Sequence, residues 1–261
     1  MPSYLRVFAI ALFGLSLAAC SGDDGGGNAG TGGTAGTGGT AGTGGTAGTG
    51  GTAGTGGTAT STVSGVVYTR DLAENTVSGA AVSVVGTQLS TTTDLAGRFT
   101  LENVPNGAQF FATAADGNWG VVDYWDVPDE TQLGADFGVI PDSEISALAQ
   151  ALGRTISAAD GIVDVTFDEG AVGGETATIS AASDDPFTFD AADEPVEQAG
   201  VIADVDGFGE LIYTSINTGD GPITATVAGV PGTTTCFVDE DAGTSYPIIE
   251  KSATIVYAYC E

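Results

Sequence analysis

The sequence predicts an all-β protein of two tandem sandwiches, with one short helix between them and a disordered N-terminal tether. Three observations predict this. From about Ser61 onward, short runs rich in Val, Ile, Thr and Phe are separated by Gly, Pro, Asn and Asp, the pattern of strands broken by turns. Helical periodicity occurs once, over Asp142–Gly153. A hairpin pattern at Asp94 to Gly107 returns at Asp206 to Gly219, which implies one module used twice.

Residues 1–19 have the layout of an export signal. Arg6 and the free amine are basic, Val7 to Leu17 is apolar, and small residues precede Cys20. The apolar stretch is shorter than the roughly 20 residues that span a bilayer, and Ser21-Gly-Asp-Asp follows it in place of a basic stop-transfer flank. Leu17-Ala18-Ala19-Cys20 resembles the lipobox of bacterial lipoproteins. That resemblance implies cleavage before Cys20, acylation of Cys20, and a lipid bilayer as partner through the acylated residue. Two or more acyl chains hold a protein stably on a membrane. Residue 21 is Ser and not Asp, which by the sorting pattern of Gram-negative lipoproteins implies the outer membrane. An ordinary signal peptide with an incidental Cys20 is the alternative.

Residues 20–60 form the expected tether. From Gly30 to Ala59 the unit Gly-Thr-Gly-Gly-Thr-Ala repeats without error. So much glycine makes ordering costly, and no side chain larger than Thr offsets it by burial. A flexible coil of this length spans about 35 Å and at full stretch ~130 Å.

The chain carries a net charge of −29, and loss of Arg6 with the signal makes it one unit more negative. Such a protein is repelled by nucleic acid and by anionic lipid. It contains no histidine, which removes the commonest general base and most transition-metal sites. With Cys20 assigned to lipid, Cys236 and Cys260 remain as an even pair in an oxidising compartment, where they should form a disulfide.

Within residues 61–140 the strand candidates are Ser64-Gly-Val-Val-Tyr, Gly79-Ala-Ala-Val-Ser-Val-Val, and the hairpin Asp94-Leu-Ala-Gly97-Arg-Phe99-Thr-Leu101-Glu-Asn-Val104-Pro-Asn-Gly107. Gly97 permits the turn, Phe99 and Leu101 face the core, and Val104 closes it. Over roughly residues 62–125 this pattern resembles the carboxypeptidase regulatory-like domain, which implies a seven-stranded transthyretin-like sandwich. Metallocarboxypeptidases carry that domain as an accessory, so no peptidase activity comes with it.

Residues 141–261 read as a helix followed by a second, diverged copy. Asp142 or Ser143 caps the helix, Ile145, Leu148, Ala149 and Leu152 share a face that should pack on the second sandwich, and Gly153 ends it. In the copy, Asp160-Gly-Ile-Val aligns with the first strand and Gly174-Glu-Thr-Ala-Thr-Ile with the second. Asp206, Gly209, Leu211, Tyr213 and Ile216 align with Asp94, Gly97, Phe99, Leu101 and Val104. The extra length falls in an acidic stretch, Asp184 to Gln198.

No catalytic constellation emerges and no cofactor is implied. The expected function is that of a non-enzymatic, lipid-anchored cell-envelope protein presenting interaction or structural modules. A carbohydrate-binding module using Trp119 and Trp125, with envelope polysaccharide as partner, is one alternative; docking to a surface protein is another. A calcium-dependent adhesion module using Asp184, Asp185, Asp190, Asp193, Glu194 and Glu197 is a third. Asp204-Val-Asp206-Gly207 fails the spacing of an EF-hand, and alternation along Trp119 to Trp125 makes core packing the simpler account of the tryptophans.

Overall fold

The computed structural model describes residues 60–261 except 72–73, 106–107, 114–116, 125–131, 134, 205 and 240–243. The signal, Cys20, the tether up to residue 59 and Trp125 therefore lie outside the described residues, and Thr60, the expected last tether residue, already begins the first strand. The described residues belong to one structural unit, and it is mostly β, an open sandwich with one α-helix.

The first half contains β1 (Thr60–Thr69), β2 (Ala81–Val84), β3 (Ser90–Thr92), β4 (Arg98–Pro105), β5 (Gln109–Thr113), β6 (Asn118–Tyr124), β7 (Gln132–Leu133) and β8 (Phe137–Pro141). β1 pairs antiparallel with β4 and parallel with β8. β2 pairs antiparallel with β3 and β5, and β5 with β6. Between these layers lie Val63, Val67, Val82, Phe99, Leu101, Val104, Phe110 and Phe137. The core positions expected of the hairpin are all buried.

α1 (Asp142–Ala151) follows directly. Pro141 is its N-cap and no side chain caps it. Asp142 is the first helical residue, and its carboxylate pairs instead with Lys251 at 3.1 Å, a favourable place for negative charge. Gly153, at φ 64°, ends the helix as expected. The buried face does not rest on the second sandwich alone. Ile145 and Leu148 join Trp119 and Ile140 of the first half and Ile162, Phe187, Ile212 and Ala253 of the second.

The second half contains β9 (Asp160–Glu169), β10 (Thr176–Ile179), β11 (Phe187–Phe189), β12 (Pro195–Glu197), β13 (Gly209–Asn217), β14 (Ala225–Ala228), β15 (Cys236–Val238) and β16 (Ser252–Cys260). It repeats the pairing of the first: β9 pairs antiparallel with β13 and parallel with β16, and β10 antiparallel with β14. The 184–198 stretch adds the β11–β12 hairpin beside β13.

Pairing corrects two alignments. Val63 faces Leu101 and Val163 faces Tyr213, so Gly65 corresponds to Val165 and not to Gly161. At the turn, Asp94 corresponds to Asp204 and not to Asp206. The Asp94 carboxylate accepts the N–H groups of Ala96 and Arg98, and Asp204 accepts those of Asp206 and Phe208 in the same way. Gly97 and Gly207 take the left-handed position at φ 72° and 83°. Two further residues separate the second turn from its strand.

β16 joins the halves. It pairs parallel with β6 over Ser252–Thr254 and with β9 over Ala253–Tyr259, so one sheet runs through both. Alternation sends Ile255 and Tyr257 toward the first core, while Val256, Ala258 and Cys260 enter the second.

Candidate binding face

Among the described residues, strand β15 and the end of β16 hold the exposed aromatic side chains. Cys236 is paired with Cys260 across the ladder and joined to it by a disulfide, and Phe237 is paired with Tyr259. Successive side chains alternate faces, so with Cys236 and Cys260 turned to the second core, Phe237 and Tyr259 turn outward. Their ring centroids are 5.5 Å apart with planes tilted by 31°. They are 39% and 42% exposed, among the few large apolar side chains left to solvent. The disulfide locks the adjacent ladder position, which holds both rings on a rigid support.

Below the disulfide lies Glu175, fully buried. Its carboxylate accepts the N–H groups of Val172 at 2.9 Å and Gly173 at 2.8 Å and the Thr234 hydroxyl at 3.2 Å. Glu175, Cys236 and Cys260 are the group of metal-ligand types that converges among the described residues. With both sulfurs in a disulfide and the carboxylate bonded to backbone, the group is a structural fastening of the β9–β10 loop.

The sequence candidates fare differently. Trp119 is 3% exposed, enclosed by Ile140, Ile145, Ile162 and Ala253. A buried indole has no face to offer a sugar, which removes Trp119 from the carbohydrate reading; the reason is that β16 and α1 cover the side of β6 that would otherwise be open. The acidic stretch does not gather its carboxylates. Asp190 holds a turn by accepting the N–H groups of Ala192 and Glu194, Asp184 accepts the hydroxyls of Thr214 and Ser215, and Glu197 pairs with Arg154. Among the described residues, no three of these acids bring ligand atoms together.

Sequence reasoning missed Phe237 and Tyr259. The one signal was the position of each aromatic beside a cysteine, which becomes informative only once the cysteines are known to be cross-strand partners.

No protein-family model matches the chain and no curated protein is similar to it. Among solved structures, it is similar to the cohesin–X-dockerin complex of Acetivibrio cellulolyticus, at 18% identity over 35% of this chain and 73% of that one, with a TM-score of 0.26. The shaft pilin SpaA of Lactobacillus rhamnosus GG matches at 10% identity over 77% and 97%, TM-score 0.22. A family 26 carbohydrate-binding module of Eubacterium rectale, solved in complex with maltoheptaose, matches at 12% identity over 76% and 91%, TM-score 0.24.

Proposed function

We propose that this protein is a lipid-anchored, non-enzymatic component of the bacterial cell envelope, most plainly of the outer membrane, whose tether carries two fused β-sandwich modules of the carboxypeptidase regulatory-like kind. The lipobox at Leu17–Cys20 supports the anchor. The shared pairing of β1, β4 and β8 with that of β9, β13 and β16 supports the repeated module. Replacing Cys20 with Ala tests the anchor: the protein should move from the membrane to the soluble fraction and lose incorporation of labelled fatty acid. Unchanged fractionation and labelling would sink it.

The binding role rests on the Phe237–Tyr259 pair. Two outward rings on a disulfide-braced ladder present an apolar surface that suits the C–H face of a sugar. The net charge of −29 disfavours anionic polymers, so the ligand class is a neutral polysaccharide. Mature protein should be retained on a neutral glucan matrix, and Phe237→Ala should release it with little change in melting temperature. Equal retention of wild type and variant, or none by either, would count against this face.

A further inference from the structure

The face of the shared sheet that carries Tyr259 also carries, nearer the joint of the two halves, a buried arrangement of charged groups. Asp164 on β9, Glu210 on β13, Asp123 on β6 and Tyr257 on β16 come from four neighbouring strands of the order β13-β9-β16-β6. Arg70, just past the end of β1, bears electrostatically on all of them. Its stem lies against Gly138, where a Cβ would sit 2.2 Å from the Arg70 Cγ. Asp164 is 0% exposed, Glu210 4%, Asp123 5% and Arg70 8%. Three carboxyls thus face one guanidinium out of reach of water.

They are not equally provided for. Asp123 accepts the Tyr257 hydroxyl at 3.0 Å and the Tyr124 N–H at 2.8 Å, donors that favour its charged form. Asp164 Oδ1 accepts the Thr166 hydroxyl at 3.3 Å, while Asp164 Oδ2 and Glu210 Oε1 are buried with no hydrogen-bond partner. Ladder pairing sets Glu210 opposite Thr166 and Asp164 opposite Ile212, so the two acids are diagonal neighbours on one face, within reach of a long side chain. Full ionisation would leave two uncompensated negative charges buried at the joint, which burial strongly opposes.

We propose that Asp164 and Glu210 hold a proton between them at neutral pH, and that this protonated pair is a latch across the joint of the two halves, discharged by alkali. Arg70 and Asp123 belong to the first half, and Asp164, Glu210 and Tyr257 to the second. With the proton, one carboxyl donates to the other, and the uncompensated charge facing Arg70 falls from two to one. Without it, two carboxylates repel where β6, β16 and β9 meet. Burial acts in the same direction, holding Asp164 at about 7 against the pull of Arg70. It also holds Glu210 well above its ordinary range, with the Asp164 charge adding to the effect. Tyr68 on β1 and Tyr257 on β16 stay neutral through this range, since burial raises both.

The test is the thermal midpoint between pH 5 and pH 9 for the wild type and for Glu210→Gln, together with the infrared band of a protonated carboxyl at pH 7. The wild-type midpoint should fall by about 5 °C or more as pH rises. Glu210→Gln should flatten the profile, exceed the wild type at pH 9 and weaken the band. Parallel profiles would overturn the latch. If Glu210→Gln does not fold, the wild-type protein decides: a protonated-carboxyl band at pH 7 that is gone by pH 10 upholds the pair, and its absence at pH 7 overturns it.

Discussion

Asn103 and Ser215 hold the same left-handed backbone position, at φ 60° and 59°, in corresponding hairpin strands of the two halves. In each, two residues on the hairpin strand face one on the first strand: Glu102 and Asn103 against Thr62, between the pairs Leu101–Val63 and Val104–Ser61, and Thr214 and Ser215 against Ile162, between the pairs Tyr213–Val163 and Ile216–Gly161. In a regular strand, residues three apart point to opposite faces. The bulge returns Val104 and Ile216 to the core face, where both are fully buried.

Asn103 should therefore tolerate Gly and resist Val. A β-branched residue in the left-handed region is disfavoured by roughly 1–2 kcal/mol. Asn103→Val is expected to lower unfolding free energy by about that much, and Asn103→Gly to leave it nearly unchanged. Denaturant midpoints of the two variants measure this, and equal midpoints would argue against the bulge.

Gly65→Ala should prevent stable folding. A Cβ at Gly65 would stand 1.8 Å from the Ala135 carbonyl oxygen, which is backbone and cannot swing aside. Val165, its counterpart in the second half, is buried in that core with its side chain accommodated. Expression of soluble Gly65→Ala with an unchanged circular dichroism melt would contradict the close approach of β1 to the chain before β8.

Removing the disulfide by Cys236→Ala with Cys260→Ala should cost about 3.5 kcal/mol, the chain-entropy value for closing a loop of 24 residues' separation. Melting with and without reductant gives the same comparison for the wild type. A reductant-insensitive melt would mean that the bond is not formed.

Tyr257→Phe should destabilise the protein by roughly 1.5–3 kcal/mol at pH 8, the usual worth of a hydrogen bond to a charged group. Asp123 is pushed up by burial and pulled back by Arg70, by the Tyr257 hydroxyl and by the Tyr124 N–H. Its folded pKa lies above the unfolded value, so its contribution becomes less favourable as pH rises through that window. Loss of the Tyr257 donor raises the folded pKa further. The penalty of the substitution must then grow from pH 4 to pH 8, and a pH-independent penalty would place Tyr257 outside the Asp123 network.

Trp119→Ala should lower stability by about 3–5 kcal/mol through the cavity it leaves, without affecting retention on polysaccharide by the protein that still folds. Loss of retention at unchanged stability would restore Trp119 as a ligand contact and displace Phe237 and Tyr259.

Much of the local structure was legible in the residues. Alternation identified Phe99 and Leu101 as core, Gly153 was read as the helix end, and the recurrence of the hairpin announced a repeat. These are short-range signals, carried by side-chain period and by the backbone freedom of glycine. The bulge is half legible: Val104 and Ile216 are apolar positions of the hairpin pattern whose spacing breaks alternation, and only the pairing shows how the chain reconciles the two. The Asp204 turn was misplaced by two residues because Asp204 and Asp206 look alike until one of them is seen accepting backbone N–H groups.

The sequence by itself determined the all-β class, the one helix among the described residues and the histidine-free, strongly acidic composition, because each depends on composition or on neighbours a few residues apart. Tertiary structure alone decided that β16 runs parallel between β6 and β9, that Trp119 is covered, and that Arg70, Asp123, Asp164 and Glu210 meet in one buried layer. Parallel pairing between strands 91 residues apart (Ile162 and Ala253) and 132 apart (Gly120 and Ser252) leaves no local trace. A carboxylate bound for the interior carries the same letter as one bound for water, and only the packing of the two halves makes the difference.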